Sequence, residues 1–217
     1  MPYGHNFSNS FKVMSYSEFT TLSKVQSVFN LVIEEDRNLF AEVKGVIPSD
    51  YLQQTLKEYI PLATAINTEK SRSEFLIAPI LAELRRQTNY QISLFSGTEF
   101  DVDKEKGLSG YCDYIISCSK EQYFIRVPVV AIVEAKNENI KAGLGQCIAE
   151  MVAAQIFNKQ EGQPLQEIYG VVSTGTVWKF IVLKDNLVLI DSQEYYINQV
   201  DIVLAIMILP IRTLLSI

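Results

Sequence analysis

Residues 128–136 read PVVAIVEAK, and how that run is placed decides the fold. Six almost unbroken apolar residues lead into Glu134, a small Ala135 and then Lys136. A strand that is apolar on both faces is expected in the middle of a sheet with helices covering each side. Side chains two apart on a strand leave the same face, so Glu134 and Lys136 should point together at the strand's end.

Outward from this strand, the hydrophobic period is two in YQISLF (90–95), GYCDYIIS (110–117) and EIYGVVS (167–173), which read as further strands. TVWKFIVL and LVLI around Asp185-Asn186 read as a hairpin. Between them GLGQCIAEMVAAQIFN predicts a helix from about 144 to 158. In EKSRSEFLIAPILAELRRQ (69–87), Leu76, Ile77, Ile80, Leu81 and Leu84 form one stripe at helical period, with Pro79 inside it predicting a kink or a split. Ser49 is placed to cap a helix over PSDYLQQTLKEYI. A last helix over 200–215 is apolar almost all round, which predicts burial in the fold or in a homodimer contact.

Parallel strands on either side of the 144–158 helix and antiparallel meanders before it give an α/β domain with a mixed sheet flanked by helices. Residues 1–66 are read as a partly helical N-terminal segment packing on a core formed by 67–217. Residues 1 to about 15 read as loose.

The 217 residues carry a formal net charge of −6 and 20% charged residues, with no basic tract to coat a polyanion. One histidine, His5, leaves no basis for His-based zinc sites or Ser-His-Asp triads. Cys112, Cys118 and Cys147 have no paired spacing and are expected as free thiols. The polar start and the shortness of the apolar run 202–209 give the expectation of a cytoplasmic protein without a membrane partner.

Glu-x-Lys alone carries nothing: by chance about one such triplet is expected in a chain of this make-up, and Glu42-Val43-Lys44 is a decoy. The triplet Glu134-Ala135-Lys136 differs in closing a central strand, and Asp113 interrupts the apolar strand before it. An antiparallel register with Asp113 opposite Glu134 would set Ser117 against Val130. Two carboxylates side by side repel unless a cation lies between them. Mg²⁺, with Mn²⁺ as the alternative, suits carboxylates where no His or Cys cluster exists.

These residues resemble the PD-(D/E)XK, restriction-endonuclease-like nuclease superfamily over about 69–183, in Asp113 of GYCDYII, Glu134 and Lys136 of IVEAK, and a glutamate on the preceding helix. IYGVVSTGTVWKF also looks like the fourth strand and turn of type I restriction nuclease domains. The resemblance implies an αβββαβ core, here with an extra C-terminal hairpin and helix. It further implies Mg²⁺-dependent hydrolysis of nucleic-acid phosphodiesters, DNA before RNA. Asp113, Glu134 and the Ala135 carbonyl are the implied metal ligands, with Lys136 beside the attacking water.

The helix glutamate is Glu69 or Glu74, Glu69 lying nearer the apolar stripe. Cys112 stands where the family has its proline. Gln146 resembles the glutamine that opens the next helix in many relatives; the tyrosine they carry four residues later is Glu150 here, read as a solvated helix residue, with a further site carboxylate as the alternative. Gly143-x-Gly145 reads as a loop into that helix. Lys104, Lys106, Arg126 and Lys141 are expected to flank the site. Trp178, Tyr195 and Tyr196 read as core or interface aromatics. The rival reading is an inactive nuclease-fold protein that serves as a binding or scaffold subunit.

Overall fold

The computed structural model describes residues 14–215, so His5 and most of the segment expected to be loose lie outside the described residues. After a short turn at Tyr16–Glu18, the chain forms α1 (Leu22–Phe29), β1 (Val32–Glu34) and α2 (Asp50–Ile66). Ser49 caps α2 as expected, its hydroxyl accepting from the Leu52 amide. Next come α3 (Glu69–Arg72), a widened π turn at Ser73–Ile77 and α4 (Ala78–Gln87).

The split expected from Pro79 thus takes the form of that π turn, in which the Ala78 amide reaches back five residues to the Ser73 carbonyl. Proline has no N–H and its ring crowds the carbonyl four residues earlier, so a wider turn just before it relieves both. Tyr114 then fixes the turn to the sheet, its hydroxyl lying 2.7 Å from Ser73 Oγ.

The strands are β2 (Ser93–Glu99), β3 (Tyr111–Ser117), β4 (Val129–Ala135), β5 (Ile168–Ser173), β6 (Val177–Lys184), β7 (Leu187–Ile190) and the short β8 (Tyr195–Tyr196). They build one mixed sheet in the order β1-β7-β6-β5-β4-β3-β2, with β8 beside β6. β2 begins later than the 90–95 reading because Asn89 and Tyr90 hold left-handed turn conformations. β4 is buried along its whole length, as its two-sided apolar sequence requires.

β3 and β4 are antiparallel, with Tyr114 opposite Val133 and Ile116 opposite Ala131. This is the register that brings Asp113 level with Glu134. A bulge after Ile116 sets Ser117 against Val129 rather than Val130. β4 and β5 run parallel, connected through α5 (Ile140–Gln160). That helix starts four residues before the expected start, so Gly143 and Gly145 lie inside it rather than in a loop.

β2 forms one edge of the sheet. There the Gln122 side chain acts as a short stand-in strand: its amide donates to the Leu94 carbonyl at 2.7 Å and accepts from the Leu94 amide at 3.3 Å. Part of an open edge is thereby satisfied.

One face of the sheet packs on α2, the π turn, α4 and α6 (Val200–Leu215) through Leu52, Leu76, Leu84, Val133, Phe180 and Leu204. The other packs on α1 and α5 through Val25, Ile132, Cys147, Ile148 and Val172. Trp178 belongs to the first core, as does Tyr195, while Tyr196 is exposed. From 14 to 66 the described residues pack on the rest: Phe40, Leu52 and Leu56 share the main core, and β1 adds a parallel strand beside β7.

The turn and helix over Ile197–Leu215 are long and apolar enough to cross a membrane by length and composition. In this fold Val203 to Ile208 and Ile211 are buried against the sheet and its neighbouring helices. Of the two outcomes expected for this helix, burial in the fold is the one seen over that stretch.

Gly145 marks the closest approach of α5 to the N-terminal segment. A Cβ there would run into the Phe19 carbonyl oxygen and lie 2.9 Å from that of Thr21, both backbone atoms. Gly145→Ala should cost about 1–3 kcal/mol through overpacking, measured as a lower midpoint in urea unfolding. An unchanged midpoint would mean that this contact is loose.

Candidate functional site

The candidate site forms where β4 ends. The ladder between β3 and β4 stops at Tyr114 and Val133. One step further, the Ala135 amide bonds to the Asp113 carboxylate, Oδ2 at 2.7 Å, instead of a strand carbonyl. The Lys136 amide turns the other way, to the Ser173 carbonyl of β5 at 2.8 Å. Asp113 is therefore held in the seam between two strands, beside Glu134.

Glu134 is 1% exposed, and neither of its oxygens is free. Lys136 Nζ forms an ion pair with Oε1. Gln146 Nε2, from the second turn of α5, donates to Oε2 at 3.0 Å. The lysine side chain keeps 20% of its surface exposed. Gly143 makes room for its stem, since a Cβ there would lie 3.1 Å from Lys136 Cγ and closer still to Val172.

Burial, and then the charge of Asp113, push the Glu134 carboxyl up to about 8, against the opposing pull of Lys136. Burial pulls Lys136 down, but the Glu134 charge and hydrogen bond outweigh it and the ammonium is held above its ordinary value.

Gln146 does more than the sequence suggested. The same Nε2 also donates to Glu150 Oε1 at 3.0 Å. Glu150 is not a solvated helix residue: it is fully buried, and its Oε2 has no hydrogen-bond partner. Burial first, then Glu134, drive its carboxyl well above the usual range. The signal in the sequence was its setting, since Glu150 is the lone polar residue in CIAEMVAA (147–154).

The two helix glutamates separate. The charge of Glu69 acts on both Glu134 and Lys136. Glu74 instead lies 3.7 Å from Lys70 in an exposed pair. α3 is held at this end of the sheet by Arg72, whose buried guanidinium donates to the Thr174 carbonyl at 3.0 Å and to Thr176 Oγ1 at 3.1 Å. Its other donors meet Asn67 Oδ1, and Asn67 in turn bonds Glu138 at 3.0 Å.

The basic residues expected to flank the site divide as well. Lys104 and Lys106 are paired with Asp101 and Asp103. Arg126 precedes β4, and so lies at the opposite end of the sheet from Glu134, stacked on Phe124. Only Lys141, exposed in the first turn of α5, stays at this end with no ion pair among the described residues. All three cysteines are free thiols.

The donors present are carboxylates and peptide carbonyls, which suit a hard divalent cation in kind. In number they fall short: among the described residues, no group of three or more His, Cys, Asp or Glu is gathered to hold a metal ion. No protein-family model matches the chain, and no curated protein matches it.

The raised Glu134 carboxyl sets a sign for stability. The folded state holds its proton up to about pH 8, whereas the unfolded chain releases it near the ordinary glutamate value of 4.5. Stability from this group is thus present at low pH and is lost as pH rises from about 4.5 towards 8. In EDTA, denaturant unfolding of the wild type should show that loss between pH 5 and pH 8. Glu134→Gln should flatten it by at least ~1 kcal/mol; equal slopes would overturn the assignment.

Proposed function

We propose that the chain is a metal-dependent nuclease of the PD-(D/E)XK type, cleaving phosphodiester bonds of nucleic acid, with DNA the expected substrate. The observation that carries the reading is the β3–β4 register, which sets Asp113 beside Glu134 at the end of a buried central strand with Lys136 on the Glu134 carboxylate. The element order around it supports a restriction-endonuclease-like core: helix α3–α4, strands β2, β3 and β4, helix α5, then β5 parallel to β4.

Asp113, Glu134 and the Ala135 carbonyl would hold Mg²⁺ or Mn²⁺, and Glu69 rather than Glu74 is the helix acid in electrostatic reach. When bound, such an ion supplies Lewis-acid stabilisation of the phosphate and an acidified water. The chain's own residues supply the rest. The Lys136 ammonium offsets charge that develops on the phosphate oxygens. Gln146 restrains Glu134, and the exposed Lys141 is placed to meet a backbone phosphate.

One feature favours the rival reading of an inactive binding or scaffold subunit. Both Glu134 oxygens are already occupied by Lys136 and Gln146, and among the described residues no group of three or more acids, cysteines or histidines is gathered to hold a metal.

Purified protein incubated with plasmid and single-stranded DNA should cleave in Mg²⁺ or Mn²⁺ and not in EDTA. Lys136→Ala and Asp113→Asn should each lower the rate by at least about 100-fold, the scale of a lost charge-stabilising group. No cleavage with any metal supports the scaffold reading, and cleavage that survives Lys136→Ala rules out this site.

A further inference from the structure

Glu150 has no part in the reading above, yet it is the most deeply buried acid of the cluster. Its surroundings offer it one donor. Cys112 of β3, Tyr16 of the Tyr16–Glu18 turn, Cys147 of α5 and the site residues Glu134, Asp113 and Lys136 lie within electrostatic reach of it. The Tyr16 hydroxyl is already used on the Phe100 carbonyl at 2.6 Å, and the Cys147 thiol turns to the Val171 carbonyl at 3.6 Å. Among the described residues only the Gln146 amide donates to Glu150.

A side-chain amide has two N–H donors on one nitrogen and an acceptor oxygen opposite, and it can sit either way round. Gln146 gives one donor to Glu134 Oε2 and the other to Glu150 Oε1, both at 3.0 Å. The reverse orientation would set its oxygen against Glu134 Oε2 and Glu150 Oε1, and these repel it wherever neither oxygen carries the acid's proton. Without Glu150, a single bond to Glu134 would be left to choose between the two orientations. Oε1 of Glu150 can accept whether or not Oε2 carries a proton.

We propose that Glu150 is a positioning residue that fixes the Gln146 amide with its nitrogen towards Glu134, and through it fixes the Glu134 carboxylate against Lys136. The proposal deepens the nuclease reading and rests on it for the consequence to rate, but the hydrogen-bond geometry can be read without any activity.

Side-chain amide exchange of Gln146, followed by NMR and assigned with Gln146→Leu, is the direct test. In the wild type both Gln146 amide protons should exchange at least about tenfold more slowly than those of an exposed glutamine, the factor that one charge-assisted hydrogen bond gives. Glu150→Leu, close in size and apolar, should abolish protection of both protons, including the one facing Glu134. Glu150→Gln can still accept through Oε1 and should keep it.

On a cleavable substrate Glu150→Leu should lower kcat about tenfold with KM unchanged, and Glu150→Gln should restore it. Three results would overturn the proposal: an unprotected Gln146 proton in the wild type, a Glu134-facing proton still protected in Glu150→Leu, or loss of protection in Glu150→Gln. If Glu150→Leu does not fold, the wild type and Glu150→Gln decide the matter. Wild-type protein that shows the protected amide but never cuts nucleic acid would sink the nuclease reading and leave this one standing.

Discussion

The hydrogen bond from the Ala135 amide to the Asp113 carboxylate holds the candidate-site end of this sheet together. A buried strand amide must find an acceptor. Where β3 parts from β4, the chain meets that need with a side chain instead of a carbonyl. The substitution keeps the two strands joined and draws an acid into the seam, next to the acid that ends β4. Around that pair stand Lys136 on one oxygen of Glu134, Gln146 on the other, and a glycine at 143 that admits the lysine stem.

Electrostatically the cluster is poised rather than balanced. Asp113, Glu134 and Glu150 share one nearby ammonium, and two of the three acids are almost wholly shielded from water. Burial disfavours each added negative charge, which is why protons are retained here at pH values where exposed carboxyls have lost theirs. Arg72 adds no charge partner of its own. It works as a brace, anchoring α3 to the turn after β5 and so fixing where Glu69 stands.

Much of this could be read in the sequence. The two-sided apolar run 128–133 gave the central strand, and Asp113 set against Glu134 gave the register within one bulge. Ser49 gave a cap and Pro79 a broken helix. What escaped did so for physical reasons. β1 has three residues and only partial burial, so it leaves no periodic trace, and its pairing with β7 is set by tertiary contact alone. α5 is buried nearly all round, so its polar residues mark no outer face, and Glu150 passed for a surface charge. Arg126 seemed near the site because eight residues separate it from Glu134, but a strand is extended and carries them to opposite ends.

The pairing of β1 with β7 also bears on how the molecule comes into being. Val32 lies opposite Leu187, so β1 leaves the ribosome with no strand to join until β7 has been made. Domains tend to assemble from the leading end during synthesis; here the leading strand must wait, and late, distant contacts of this kind slow folding. The growing polypeptide carries β1 unpaired while the strands between it and β7 are made, and β1 joins the sheet only after β7.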